Sequence, residues 1–192
     1  TPEEIPTMVK QGFYIAETGR PGPVLLDIPK DVQQNEGNIP FPDEVRVPGY
    51  HPWTDPDMQN TGRAVELLLS AKKPIILAGG GVIISSAFAE LQSIAELLMI
   101  PVVTTFKGKG AFPENHPLSL GPIGMHGHAE ANKLMTEADC VLAIGTRFSD
   151  RSVGTFEEFE KNLKIIHMDV DPAEIGKNQT TSVAVVGDVR TS

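Results

Sequence analysis

Thiols are nearly absent from this chain of 192 residues: its single cysteine, Cys140, stands inside the apolar run 138–144. No disulfide can form within the chain, and a structural zinc site would lack its usual thiolates, so Cys140 reads as a small core residue. Apart from His126, the other four of the five histidines offer no metal-ligand spacing, and no metal site is expected. Excess positive charge is also lacking. The 16 basic against 25 acidic side chains leave a formal charge of −9, which argues against a nucleic-acid partner. No run approaches the roughly 18 to 20 apolar residues that cross a bilayer, and nothing at the start resembles a secretory signal. A water-soluble, cytoplasmic protein is expected, without internal repeats or low-complexity tracts.

With 40% hydrophobic residues there is material for a compact core. The chain opens on Thr1, with Pro2 at the first helical position and Glu3 and Glu4 at the positive end of the helix dipole. Apolar residues at Ile5, Met8, Val9 and Phe13 carry this helix to about Thr18, where Gly19 stops it. Pro23–Ile28 then reads as a buried strand closed by Pro29. One helix and one strand cannot bury their faces alone. Residues 1–29 are therefore expected to belong to a neighbouring domain, and the chain to be a piece of a longer polypeptide. Residues 30–57 have the proline-rich, turn-rich composition of a linker.

From residue 58 to 192 helical stretches alternate with short apolar runs. Helices are expected at roughly 57–71, 85–98, 128–137 and 155–162, with a helical turn at 172–176. Strands are expected at 74–78, 101–105, 140–144, 164–168 and 183–186. Near-continuous apolar strands are covered on both faces, so the expectation is an α/β fold, a three-layer doubly wound parallel sheet. Ligands of such sheets bind at the carboxyl ends of the strands, where the strand order reverses.

Each of those ends carries a ligand-type element. Gly79-Gly80-Gly81 follows the first strand and leads to Ser85-Ser86; it is either a tight turn or a cradle for a diphosphate at a helix N-terminus, and it lacks the G-x-G-x-x-G spacing of dinucleotide folds. A long connection from Phe106 through Gly124-Met-His-Gly127 follows the second. In it His126 either contacts a ligand or caps the next helix, and Lys107 and Lys109 are either a phosphate-binding pair or solvated surface. Gly145-Thr-Arg-Phe-Ser-Asp-Arg151 follows the third. Its arginines suit carboxylate or phosphate, the alternative being an Arg–Asp surface pair. Asp169 stands where an acid hydrogen-bonds a nucleotide ribose, and Gly187-Asp188-Val189 closes the series.

Read in order, these blocks and Gly19–Gln33 resemble the acetolactate synthase (acetohydroxyacid synthase) family of thiamine diphosphate enzymes, over nearly the whole chain. The resemblance implies that residues 1–29 end a pyrimidine-binding domain and that 58–192 form the Rossmann-like central FAD-binding domain. It implies a flavin site lined by Arg20, Gly79, Gly80, Gly81, Thr105, Met125, His126, Gly145, Arg147, Asp169, Asp188 and Val189. It places Lys30, Met125, Asp150 and Arg151 at the active-site entrance, Arg151 binding the carboxylate of the second 2-keto acid. Lys107, where an uncharged residue is expected, and Ser149, where aspartate is common, depart from the pattern. The implied substrates are pyruvate and a second 2-keto acid such as 2-ketobutyrate. A homodimer or homotetramer with a possible separate regulatory subunit is also implied. The activating glutamate and the Gly-Asp-Gly motif that hold thiamine diphosphate and magnesium do not occur in these 192 residues, so catalysis is expected only of the intact protein. Rival readings are the same domain of a glyoxylate carboligase or pyruvate oxidase, or a non-catalytic nucleotide-binding module.

Overall fold

The structure, a computed structural model, describes residues 1–52, 55–149 and 163–192. It divides into two compact units, Thr1–Pro52 and Trp53–Ser192.

In the first unit a short 3-10 turn, Pro2–Glu4, leads into helix α1, Ile5–Glu17. Gly19 follows at φ 60°, a left-handed conformation that costs glycine nothing. Helix α2, Lys30–Gln34, lies where linker was expected. Lys10 Nζ donates to the Pro42 and Asp43 carbonyls at 2.7 and 2.8 Å, tying the later segment back to α1. The strand expected over Pro23–Ile28 is not formed. The segment has no strand partner among the described residues, and Leu25 is 92% exposed. A strand exists only where a neighbour takes up its N–H and C=O groups, whatever its own propensity.

The second unit is built on six parallel strands: β1 Pro74–Ala78, β2 Val102–Thr104, β3 Ser119–Pro122, β4 Cys140–Ile144, β5 Lys164–Asp169 and β6 Val183–Val186. Their order is β3-β2-β1-β4-β5-β6, which reverses between β1 and β4. The expected doubly wound parallel sheet is thus the observed one. Helices α3 Met58–Ser70, α4 Gly80–Ile84, α5 Phe88–Leu98 and α6 Ala129–Glu137 connect the strands. The 155–162 helix lies outside the described residues, and 172–176 forms turns rather than helix. The helix expected over 85–98 is α5, which starts three residues later, and the unforeseen short helix α4 precedes it, the two parted by Ser86 at φ 56°. The long connection after β2 also contains an unforeseen strand, because β3 offers its edge to β2.

Alternation along the strands sorts the core into two layers. Ile76 and Ala78 pack with Ala64 and Leu68 of α3 and Leu91 and Ala95 of α5. Ile75 and Leu77 pack on the opposite face with Ala131 and Met135 of α6. Each helix contributes residues four apart, the stripe that a single face buries. Asp57 caps α3, its carboxylate accepting the Gln59 and Asn60 N–H groups at 3.0 and 3.3 Å. Asp139 accepts the N–H groups of Lys72 and Lys73, both at 2.8 Å, and so pins the start of β1 to that of β4. Cys140 is buried, and burial with Asp139 beside it pushes its thiol up to about 11. Among the described residues no helix is long and apolar enough to cross a membrane.

Leu77 is wholly buried whereas Leu97 is 81% exposed. In urea unfolding of the intact protein, Leu77→Ala is expected to cost about 2–5 kcal/mol through lost packing and the cavity left behind. Leu97→Ala should stay within about 0.5 kcal/mol of wild type, and equal losses would refute the assigned layers.

Candidate functional site

Because every strand runs the same way, the six carboxyl ends share one edge of the sheet, and the connections leaving them lie in strand order. At the reversal the loops after β1 and β4 meet backbone to backbone. Gly79 N–H donates to the Ile144 carbonyl at 2.8 Å, and Gly81 N–H to the Gly145 carbonyl at 3.0 Å. A Cβ on Gly79 would collide with the Gly145 carbonyl, and one on Gly81 would sit 2.6 Å from Gly145 Cα. Gly145 itself has φ 56°. The glycines therefore seat two loops against each other, and two of the triplet's three amides are engaged between strands. The helix that the triplet opens, α4, is only five residues long.

The loop after β2 joins the same edge. Thr105 N–H donates to the Ala78 carbonyl at 3.0 Å, and its buried hydroxyl accepts the Gly108 N–H at 3.0 Å, capping a 3-10 turn at Phe106–Gly108. Exposed Lys107 comes beside the triplet, its Cβ 3.2 Å from where a Cβ on Gly80 would lie. Lys109 instead pairs with Glu114 at 3.1 Å, both more than half exposed, so the two lysines do not act as a pair. After β3, Gly124 is gripped by Asn132 of α6: its N–H donates to Oδ1 at 2.9 Å and its carbonyl accepts from Nδ2 at 3.0 Å. This holds Met125, 82% exposed, and exposed His126 at the tip of the turn. His126 does not cap the following helix, since the residue before α6 is His128.

After β4, Thr146 is buried, Arg147 exposed and Phe148 buried. The Arg147 guanidinium forms no ion pair among the described residues, whereas its own carbonyl accepts from Asn178 Nδ2 at 2.7 Å. Asp150 and Arg151 lie outside the described residues. After β5, the buried Asp169 carboxylate accepts the Asp171 N–H at 3.0 Å, and after β6 Asp188 accepts the Arg190 N–H at 2.8 Å while Val189 packs on the core. Met125, His126, Thr105, Gly79, Gly80, Gly81, Gly145, Arg147, Asp169, Asp188 and Val189 therefore share one edge. Arg20 and Lys30, both exposed, belong to the first unit. No group of histidine, cysteine and acidic side chains among the described residues could hold a metal ion.

Sequence reasoning passed over Asn132, Asn178 and His167, which act on backbone carbonyls and amides that no motif records. His167, on β5, is buried, and its Nε2 lies 2.8 Å from the Thr146 carbonyl. A carbonyl only accepts, so Nε2 carries the proton, and Nδ1 has no partner among the described residues. Burial pushes the His167 pKa down from 6.5, outweighing the Thr146 bond and the charges of Asp169 and Glu174, which push it up. The imidazole is thus neutral near neutral pH.

Comparison with known proteins gives a consistent picture. The family described as "Thiamine pyrophosphate enzyme, central domain" matches residues 61–192. The chain is 52% identical over 97% of its length to the "Probable acetolactate synthase large subunit" of Methanococcus aeolicus. It is 48% identical over 98% of its length to the acetolactate synthase of Arthrospira platensis. The chain spans about a third of each of these relatives, 32% and 34%. A solved structure from Mycobacterium smegmatis, assigned as a thiamin diphosphate-dependent enzyme, superposes with a TM-score of 0.79 at 25% identity. That match covers 99% of this chain and 36% of the other.

The depressed His167 pKa has a consequence for stability. Unfolded, the imidazole binds a proton near pH 6.5; folded, it resists doing so, so the stability it protects is complete above that pH and is lost as pH falls below it. Urea midpoints of the intact protein between pH 7.5 and 5 should fall further in wild type than in His167→Gln, which does not titrate. Equal falls would show that His167 is not buried as a neutral group.

Proposed function

Because the chain belongs to the thiamine pyrophosphate enzyme central-domain family, we propose that it is the flavin-holding middle part of an acetolactate synthase large subunit. The observation that carries this reading is the contact of two glycine loops at the strand-order reversal, the point where sheets of this class form a ligand crevice. There the glycine loops after β1 and β4 adjoin Arg147, an exposed cation without an ion pair among the described residues. Such a crevice fits FAD, whose diphosphate needs close backbone approach and a guanidinium that can meet two oxygens at once. Gly80, Gly81 and Gly145 would admit the diphosphate, with Arg147 neutralising it. Asp169 would hold a ribose hydroxyl. Thr105, Met125, His126, Asp188 and Val189 would line the remainder. The triplet's role is then proximity, since its amides at Gly79 and Gly81 already serve the sheet. Bound there, the flavin would contribute structure rather than redox chemistry.

The relatives' names extend the reading to the whole protein, in which thiamine diphosphate and magnesium would support joining two 2-keto acids with loss of one carbon dioxide. Met125, Asp150 and Arg151 would border the substrate path, Arg151 meeting the carboxylate of the second acid with its planar fork.

FAD titrated into the intact apoprotein, followed by flavin fluorescence, should saturate, and Arg147→Ala should raise Kd about tenfold, as for a charged hydrogen bond. No saturation would remove the flavin reading. For Arg151, lysine keeps the charge and loses the fork. Removing one partner of a desolvated charge pair costs about 2–5 kcal/mol, so Arg151→Lys should lose part of this and Arg151→Ala more. The loss is expected in formation of the condensed product, with pyruvate consumption and melting temperature better preserved. A parallel fall of all three would make Arg151 a structural residue.

A further inference from the structure

The loop that presents Arg147 is conformationally demanding. Gly145 has φ 56° and Phe148, which is not a glycine, has φ 48°; a bulky residue persists in the left-handed region only where its surroundings over-determine it. Three consecutive residues between and at these bends are held from β5 or from the segment after it. The Thr146 carbonyl accepts His167 Nε2–H at 2.8 Å, and the Arg147 carbonyl accepts from Asn178 Nδ2 at 2.7 Å. The Phe148 ring stands edge-on to the His167 imidazole, centroids 5.2 Å apart and planes at 87°.

We propose that His167 and Asn178 form a latch that fixes the backbone of residues 146–148 and thereby aims the Arg147 guanidinium into the crevice at the strand-order reversal. Both are positioning residues, acting through Arg147, and the proposal rests on the reading that Arg147 meets an anionic group of the cofactor. A purely space-filling role does not account for His167. The neutral imidazole leaves Nδ1 buried without a partner among the described residues, a cost that an apolar residue of similar volume would avoid. What the imidazole provides and such a residue cannot is the N–H to Thr146. Nor does global stability account for Asn178, which is exposed; a solvated hydrogen bond there adds little to the whole fold but can decide between local loop conformations. The side chain of Arg147 is long and flexible and makes no ion pair among the described residues, so the direction of its backbone is the main restraint on where its charge lies.

The test uses the intact protein and two independent readouts. Without flavin, amide hydrogen exchange in the peptide covering 145–149 should quicken at least about threefold in Asn178→Ala while the melting temperature stays within about 2 °C. With flavin, Asn178→Ala should raise the FAD Kd about fivefold, the size of one hydrogen bond. In the Arg147→Ala background the same substitution should change Kd less than about twofold, because there is no longer a guanidinium to aim. His167→Gln, which keeps an N–H near the Nε2 position, should remain within about twofold of wild type. His167→Met, which fills similar space without a donor, should behave like Asn178→Ala. Unchanged exchange, or a fivefold effect that persists without Arg147, would overturn the latch. If wild type fails to bind FAD, the cofactor reading falls and with it the aim assigned to Arg147, while the exchange data still decide whether the loop is held.

Discussion

The loops after β1 and β4 lie backbone against backbone, and the candidate site is arranged around that contact. Gly79 and Gly81 donate across the gap to Ile144 and Gly145, and any Cβ on Gly79, Gly81 or Gly145 would force the loops apart. The contact occurs where it does because a doubly wound sheet grows outward in both directions from its centre, leaving one place where neighbouring strands send their connections to opposite faces. Here that place is the β1/β4 pair. Close approach of the two main chains leaves backbone rather than side chains at this point of the edge, so a ligand bound there would meet backbone first and only then the side chains at its rim.

Those rim side chains are held indirectly. Asn132 grips Gly124 and so presents Met125 and His126, Thr105 caps the turn that carries Lys107, and His167 with Asn178 restrains the loop that carries Arg147. In each case a polar side chain acts on a backbone group of the loop, leaving the candidate site side chain exposed. A buried carbonyl or amide must find a partner in any case, so such bonds order a loop at small cost and leave the site side chains accessible to ligand.

Much of the fold was legible in the sequence because it rests on local pattern. The apolar runs that became β1, β4 and β5 are continuous, with residues of both faces buried, and the alternation of helical stretches with these runs marked the parallel fold. The failures have a common cause. Pro23–Ile28 has strand composition, yet pairing requires a neighbour that the described residues do not supply. Ser119–Pro122 has weak strand composition, yet it lies against β2 and pairs. Ser85 and Ser86 looked like a helix start, but the helix begins at Phe88, after Ser86 takes φ 56°.

The sequence by itself determined the class of fold, the positions of the main strands and the set of residues that gather at their carboxyl ends, because hydrophobic period, glycine and proline placement and the parallel-sheet rule all act over short stretches of chain. Only the tertiary structure decided what those residues do to one another. The glycine triplet turned out to seat a neighbouring loop, Lys109 was drawn to Glu114 rather than to a ligand, and His167, Asn178 and Asn132 became the supports of the site. These outcomes depend on hydrogen bonds and steric contacts between residues up to 66 positions apart, as between Gly79 and Gly145. Such pairings are set by strand order in space, which no local pattern records.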